Sequence, residues 1–344
     1  MRNKKKRNGV LFNETFRLEK LSRQNDSLVK LNNRIDFELF RPLLEEILQK
    51  EHKGKGGCPP YDYVMMFKIL ILQRYYSISD DKMEFAILDR LSFTRFLGIS
   101  LNDTVPDAKT IWLFRERLKG HIETLFDCFS KELQSKQLIA NEGKIVDASF
   151  VEVPIQRNSH KENEQIKRGE VPEEWTGQLH KIAQKDTDAR WTKKNDKSYY
   201  GYKDHIKVDK KSKLIDKYTI TAASVHDSQE VERLITETDK GQPFYADSAY
   251  SGELIAKKVE EKKMCNQIHE KGYRNHPLTE EQKECNHIKS KTRARVEHIF
   301  GFIENSMGGS FIRTIGINRA TTIIGLMNLT YNIFRAIQQG YSST

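Results

Sequence analysis

Apolar positions recur three and four residues apart between residues 36 and 139. This spacing places apolar side chains on one face of a helix, so we expect a mainly helical region. A Gly- and Lys-rich break at 53–60 and a helix start after Pro106 divide it into several short helices. The pattern fits a helix-turn-helix layer, and it fits an ordinary all-α packing unit at least as well. The positions that carry the period include Phe37, Phe40, Leu44, Leu48, Val64, Phe67, Ile71, Met83, Phe85, Ile111, Phe114 and Leu118.

Beyond about Gly143 the pattern changes to short apolar runs separated by polar residues, which is typical of strands. A polar stretch at about 156–200 interrupts these runs and contains Trp175 and Trp191. Helical spacing returns towards the end of the chain. Strands that alternate with helices predict an α/β region. The predicted strands are 144–151, 202–208, 214–225, 244–247 and 265–268, and helices are expected after Asp227, near Ser251 and from Lys289 to Gln339.

The composition is that of a globular chain with a charged surface. Of the 344 residues, 37% are hydrophobic and 31% are charged. The absence of any apolar run of 18 residues argues against a membrane-spanning helix, and no apolar segment follows the basic start as in a secretory signal. Four scattered cysteines without a C-x-x-C pair argue against a zinc ribbon or a disulfide framework, and they favour a reducing cytoplasm.

The charge balance is basic, with 58 Lys and Arg against 48 Asp and Glu, or a net charge of +10. Residues 1–23 hold eight basic and two acidic residues, so a net +6 lies in a short leader. Basic chains favour polyanionic partners, because neutralised phosphates release counterions. The alternative is a leader that only keeps the chain soluble.

Two aspartates stand out because each follows a triplet that is typical of a buried strand. Asp147 follows Lys144-Ile145-Val146, and Asp247 follows Phe244-Tyr245-Ala246. A carboxylate at the end of a buried strand costs desolvation free energy unless a positive charge neutralises it. Two such residues on strands of one sheet can converge on a shared cation.

A third acid, Glu297, borders the apolar stripe of a predicted helix, and Gly301 lies one turn further on. The small glycine would let another backbone or a substrate come close. A simpler interpretation is a surface ion pair between Glu297 and Arg293, one turn earlier. Taken together, however, two strand aspartates and a helix glutamate supply the oxygen ligands that Mg²⁺ prefers.

Five segments resemble the DDE transposases of bacterial insertion sequences, specifically the insertion-sequence-five family. They occur in the family order, and the likeness extends over roughly residues 35–335. An N-terminal part with GCPPYD (57–62) and LSFTRFLG (91–98) resembles the family's amino-terminal domain. The five segments are IVDAS (145–149), YGYKDH (200–205), TAASVHDS (221–228), YADSAY (245–250) and RARVEHIFG (293–301).

The resemblance implies an RNase H-like catalytic core, an α/β fold with a mixed sheet, preceded by an all-α N-terminal domain. The implied organisation is a basic leader (1–35), a helical DNA-binding domain (36–140) and a catalytic domain (141–340) with the polar insertion. The resemblance assigns catalysis and metal binding to Asp147 on the first strand, Asp247 on the fourth strand and Glu297 on the late helix. It implies two Mg²⁺ ions, for which Mn²⁺ can substitute.

The family's Tyr-x-x-Arg-x-x-x-Glu-x-x-x-x-x-x-Lys signature is met only in part. Arg293 stands at the Arg position, so a phosphate contact from it is expected. Ser290 stands where Tyr is expected and Glu304 where Lys is expected. Tyr250 or Lys289 are the candidate substitutes.

Four further residues are candidates for the site. Lys203 is a candidate phosphate contact, with a solvated strand-edge lysine as the alternative. Trp191 is a candidate for stacking on a base, with an anchor of the insertion as the alternative. His205 and His226 lie near predicted strand ends and are candidates for lining the site, although hydrogen-bonded structural roles are more common for such histidines.

The predicted function is cleavage and strand transfer at the terminal inverted repeats of an insertion sequence. Expected partners are the repeat DNA and the target DNA, bound by a homodimer in the bacterial cytoplasm, associated with the nucleoid. Base contacts would come from the N-terminal helices, where Arg115 and Arg117 are candidates. Two alternatives stay open: a metal-dependent nuclease with the same fold, and a DNA-binding derivative without activity.

Overall fold

The computed structural model describes residues 13–49, 59–100, 102–194, 196–274 and 276–342. Within the described residues, eight α-helices lie before residue 140, as the apolar spacing predicts. They pack into one helical layer. Most of the predicted break at 53–60 lies outside the described residues. The helices are α1 (Asn13–Arg23), α2 (Ser27–Arg34), α3 (Arg41–Leu48), α4 (Tyr63–Tyr75), α5 (Asp80–Asp89), α6 (Leu91–Leu97), α7 (Ala108–Arg117) and α8 (Ile122–Ser135).

Part of the predicted leader is ordered helix. Helix α2 begins at the N-cap Asp26, whose side chain accepts a hydrogen bond from the Leu28 backbone N–H at 3.0 Å. Leu28 and Leu31 are fully buried on its inner face. The helical layer therefore begins before residue 35, because Leu28 and Leu31 pack into its apolar core. Residues 1–12, which hold five of the ten basic side chains of the leader, lie outside the described residues.

The second part is built on a mixed six-stranded sheet. Five strands follow the order β2-β3-β1-β5-β6. The sixth strand, β4, lies on the same side of β3 as β2 and pairs with the part of β3 that follows the pairing with β2. The pairs β1–β3, β2–β3 and β3–β4 are antiparallel, whereas β1–β5 and β5–β6 are parallel. Without β2, the order β4-β3-β1-β5-β6 is that of an RNase H-like core. The strands are β1 (Lys144–Glu152), β2 (Arg190–Lys194), β3 (Lys197–Asp209), β4 (Ile215–Ala222), β5 (Pro243–Tyr245) and β6 (Cys265–Asn266).

The polar insertion is folded. It forms α9 (His160–Lys167), a 3₁₀ turn, α10 (Leu179–Ala183) and the extra strand β2. Trp175 is completely buried, and its indole N–H donates to Glu162. Asp186 is also buried and accepts a hydrogen bond from the Tyr202 hydroxyl at 2.8 Å. These contacts tie the insertion to β3.

Helices on both faces cover the sheet. The helices that follow β4 are α11 (Val231–Leu234), α12 (Glu253–Glu261), α13 (Glu280–Met307) and α14 (Ile317–Gln338). Helix α14 is buried almost throughout, between the sheet and the N-terminal helices. A smaller core on the other face of the sheet contains Val146, Phe244 and Tyr250. Among the described residues, no helix is long and apolar enough to cross a membrane.

A buried charge cluster lies at the start of β1. Lys207 donates to Asp239 at 2.6 Å and lies 2.9 Å from Asp216. Lys144 lies 3.2 Å from the same Asp216 carboxylate. Each of these four side chains is at most 6% exposed, so the pairing offsets the desolvation of the charges. The cluster is a structural feature that neither the apolar pattern nor the resemblance predicted.

Candidate active site

Asp147 lies within β1 and not at its end, which agrees with the predicted strand 144–151. The strand continues to Glu152 because β3 pairs with it over its whole length. The Asp147 carboxylate is 14% exposed. One oxygen accepts a hydrogen bond from the Ala148 backbone N–H at 2.9 Å, and the other accepts from Arg293.

The register of the parallel strands places Asp247 beside Asp147. Lys144 pairs with Phe244 and Ile145 with Tyr245, and the same offset of 100 residues makes the two aspartates level with each other. Asp247 follows β5 and N-caps a 3₁₀ turn over Ser248–Tyr250, accepting from the Ala249 N–H at 2.8 Å. The two carboxylates are therefore close enough for the charge of Asp247 to act on Asp147.

Helix α13 carries the third acid across the sheet. It begins with a capping box between Thr279 and Gln282 and ends at Gly308 in the left-handed conformation. The chain then runs along the end of β1, where the Glu152 backbone N–H donates to the Ser310 carbonyl at 2.8 Å. The buried face of α13 consists of Val296, Ile299, Ile303 and Met307. This face fixes how the helix is rotated about its axis over the sheet.

Arg293 on α13 links two of the predicted catalytic acids. Its Nη1 donates to the Asp147 Oδ2 at 2.9 Å, and its Nη2 lies 3.7 Å from the Glu297 Oε1. The Glu297 side chain is 64% exposed, so it faces the solvent side of this ion pair. The surface ion pair that the helical spacing suggested is therefore present, and it forms part of the candidate site.

The electrostatics at Asp147 reflect its surroundings. Burial raises the pKa of Asp147 to about 6, above its ordinary value of 3.8. The Ala148 N–H and the Arg293 guanidinium oppose this rise, whereas the charge of Asp247 adds to it. A buried acid whose pKa is raised beside a second carboxylate is common in sites that bind cations or move protons.

The donor set fits a hard divalent cation by its chemistry. Asp147, Asp247 and Glu297 offer carboxylate oxygens, which Mg²⁺ prefers. The raised pKa of Asp147 marks a carboxylate that a further positive charge would stabilise in its ionised form. In the parts of the chain that the structure describes, no three His, Cys, Asp or Glu side chains are arranged to hold a metal ion. Arg293 is the cation that Asp147 and Glu297 share.

Two predicted DNA contacts are buried. The Lys203 ammonium donates to the Asp227 carboxylate and to the Val225 carbonyl, both at 2.7 Å. Tyr250 is 1% exposed and belongs to the smaller core. Neither side chain reaches a surface that DNA could contact in this arrangement. Their buried places in the fold favour structural roles: Lys203 pairs with Asp227, and Tyr250 packs in the smaller core.

The two histidines differ from each other. His205 is fully buried, and its Nε2 lies 2.8 Å from the Thr221 hydroxyl. Burial lowers the pKa of His205 to about 4, so the ring is neutral at physiological pH. His226 is exposed and caps the turn after β4 through Ser228. The hydrogen-bonded structural role is the one that the structure supports for both.

The remaining candidates are at the surface or in local hydrogen bonds. Trp191 is 50% exposed on β2, and the anchor of the insertion is Trp175 instead. Lys289 donates to the Ile268 carbonyl at 3.1 Å. Arg115 forms a two-bond ion pair with Asp80. Trp191 thus stays available for stacking on a base.

The sequence pattern predicts Asp227 only as part of a helix start and does not predict its ion pair with Lys203. Its carboxylate holds Lys203 and lies 3.9 Å from the His205 ring. The 3₁₀ turn that it opens packs against the turn that Asp247 caps. The signal available in the sequence was its place in the TAASVHDS segment.

A mixed RNase H-like sheet with acids on adjacent strands defines a class of enzymes that act on phosphodiester bonds. A sequence model of the family described as "Transposase DDE domain" matches residues 140–333. A second model, described as "Transposase domain (DUF772)", matches residues 16–117. The chain belongs to the transposase DDE domain family. It is a transposase, an enzyme that acts on DNA, and its DDE domain implies dependence on a divalent metal.

Among solved structures, the chain is similar to a piggyBac transposase studied by cryo-electron microscopy as a synaptic complex with hairpin DNA. The two share 12% sequence identity with a TM-score of 0.44. The match covers 90% of this chain and 76% of the other.

Proposed function

We propose that this transposase cleaves DNA at the terminal inverted repeats of an insertion sequence of the insertion-sequence-five type and joins the freed ends to target DNA. The observation that supports this most is the arrangement around Arg293. One guanidinium connects Asp147 on the central strand with Glu297 on α13, and Asp247 follows β5, the strand that pairs in parallel with β1.

In this proposal Asp147, Asp247 and Glu297 hold two Mg²⁺ ions, or Mn²⁺ in their place. The chemistry that bound divalent ions supply is activation of the attacking oxygen and stabilisation of the leaving oxygen. Asp147 is linked to Glu297 through Arg293, and the charge of Asp247 acts on its carboxylate, so all three acids would contribute to holding the ions. No Ser or Tyr nucleophile is required, because water and then a DNA 3′-hydroxyl can attack the phosphodiester directly.

The exposed side of the site offers the contacts to DNA. Arg293 is 25% exposed and would contact a phosphate next to the reacting bond. Trp191 would stack on a base. The N-terminal helices would read the repeats, and the basic residues of the leader would add phosphate contacts. Joining two ends in one event implies a homodimer on DNA, which we propose acts on the nucleoid in the bacterial cytoplasm.

The test uses Asp147→Asn, Asp247→Asn and Glu297→Gln with DNA that carries the element's ends and Mg²⁺ or Mn²⁺. Each variant should lose cleavage by at least a hundredfold and keep DNA binding within a few-fold, because each removes a charged metal ligand without changing the shape of the side chain. Glu284→Gln is the matched control, since Glu284 lies exposed on the same helix and outside the family signature, and it should cleave like the wild type.

The products distinguish the remaining functions. Joined products support a transposase with strand transfer. Cleavage without joining would indicate a nuclease, and binding alone would indicate an inactive derivative. Near-native cleavage by any one of the three acid variants would remove that residue from the site.

A further inference from the structure

A groove separates the N-terminal helices from the connection between α13 and α14. It consists of two adjoining cavities of about 510 and 760 Å³, which share Asp80, Trp112, Arg115 and Arg313. The turn after α4 and the helices α5 and α7 form one wall. Residues 307–315 and the first turns of α14 form the other wall. Six basic and three acidic side chains line the groove, which gives it a net charge of +3.

Two of the three acids are neutralised within the groove. Asp80 accepts two hydrogen bonds from Arg115, at 2.7 and 2.6 Å. Glu116 accepts from Arg319 at 2.9 Å and lies 2.8 Å from the Lys119 ammonium. The third, Asp81, is exposed in the first turn of α5. These pairs account for three of the six basic groups.

Three basic groups remain. Arg74, Lys109 and Arg313 have no ion pair or side-chain hydrogen bond to any residue that the structure describes. Lys109 and Arg313 are exposed at the rim, and Arg74 is half-buried deeper in the groove. Burial and the nearby charge of Arg115 lower the pKa of Arg74 to about 10. A guanidinium in this position would be stabilised by an anion.

Two aromatic side chains lie in the same groove. Trp112 is 41% exposed and Phe311 is 45% exposed. Phe311 is bridged to Glu152, the last residue of β1. Glu152 is five residues beyond Asp147, or roughly 17 Å along the strand at about 3.3 Å per residue. One DNA strand can therefore reach both the groove and the candidate active site.

We infer that this groove binds a single DNA strand, with phosphates at Arg74, Lys109 and Arg313 and an unpaired base stacked on Trp112 or Phe311. The inference rests on the proposed function for the supply of DNA. It adds a second DNA site, away from the carboxylates, whose chemistry fits a strand better than a duplex. Positive groups that follow a backbone, combined with exposed aromatic rings, are the features with which proteins hold unpaired nucleic acid.

The test measures fluorescence anisotropy of the full chain with a labelled oligothymidylate of about 20 nucleotides and with a duplex of equal length. The double variant Lys109→Gln/Arg313→Gln removes two proposed phosphate contacts. Each contact contributes about 0.7 to the slope of log affinity against log salt for a single strand, so the steepness of the slope should fall by about 1.4. Trp112→Ala should weaken single-strand binding between about 5-fold and 100-fold and change duplex binding less.

Matched variants control for charge and for helix surface. Lys257→Gln removes an exposed charge on α12, outside the groove, and should leave the salt slope unchanged. Leu113→Ala changes a residue of α7 that is also 41% exposed but does not line the groove. An unchanged slope in the double variant, or equal effects of Trp112→Ala and Leu113→Ala, would overturn the inference.

The cleavage assay separates the two proposals. If the wild type cleaves the element's ends and the groove variants bind the single strand as the wild type does, only the groove assignment fails. If the wild type binds none of the DNA probes, the proposed function and the groove fail together.

Discussion

At the scale of single residues, Asp147 combines two opposing demands. A metal ligand must be ionised to bind a cation, and burial within β1 favours the protonated form. Arg293 opposes the effect of burial without cancelling it, because the pKa still rises to about 6. Ionised Asp147 therefore lowers the free energy of unfolding at neutral pH. Such a cost is expected for a residue that is kept for its function.

Replacement of Asp147 by Asn should therefore change the pH dependence of stability. The stabilising contribution of a raised pKa is present at low pH and is lost as the pH rises through about 6. Asn does not titrate, so the stability of Asp147→Asn relative to the wild type should increase by about 2 kcal/mol between pH 4 and pH 8. Urea unfolding at the two pH values measures this change. A difference that stays constant with pH would show that burial does not perturb this acid.

At the scale of secondary-structure elements, the family segments contain glycines with different physical roles. Gly201 in β3 has a φ of +150°, and a Cβ there would lie 2.3 Å from the Val151 carbonyl oxygen of β1. Gly301 lies inside α13, where a Cβ would meet nothing closer than the Asn305 side chain at 3.9 Å. The first glycine is required by the pairing of β1 and β3, whereas packing within the chain does not require the second.

Alanine at these two positions should change stability in opposite directions. Gly201→Ala should lower the free energy of unfolding by about 1–3 kcal/mol or more, because the close backbone cannot give way. Gly301→Ala should raise it by about 0.5–1 kcal/mol, because alanine favours the helix. Chemical denaturation of both variants checks the pair. A loss of cleavage in a stable Gly301→Ala would support a close approach of DNA to α13, whereas a destabilised Gly301→Ala would contradict the packing argument.

At the scale of the whole molecule, the two parts of the chain share one core. The main buried cluster contains Phe67 and Leu125 from the N-terminal helices together with Ile145 and Tyr202 from the sheet. Helix α14 joins them, and Asn328 within it donates to the buried Asp204 of β3 at 3.1 Å. The domain boundary near residue 140 stays a prediction from the sequence. The main core cluster extends across it.

The shared core should make the chain unfold as one cooperative unit. We expect a single thermal transition, with coincident midpoints for helix content by circular dichroism and for tryptophan fluorescence, because Trp175 reports on the insertion and the helices report on both parts. Scanning calorimetry should give agreement between the calorimetric and van't Hoff enthalpies. Two separated transitions would show that the helical part and the catalytic part fold independently.

The elements themselves were largely predictable. The hairpin of β3 and β4, the strands before the two aspartates and the late helices appear where the apolar spacing predicts them. The ends of elements were less so: β4 stops at Ala222 and not at Val225, and β2 arises inside the polar insertion. A strand end depends on the partner strand, and the identity of that partner is not contained in a local pattern.

The sequence by itself determined the order of helices and strands, the three candidate acids and the likeness to a transposase family, because periodicity and short motifs are local properties. Only the tertiary structure decided what each polar side chain faces. It placed Asp147 level with Asp247, joined Asp147 and Glu297 through Arg293, and buried Lys203, His205 and Tyr250. Burial and ion pairing are set by residues far apart in the chain, which meet only when the sheet and its covering helices have formed.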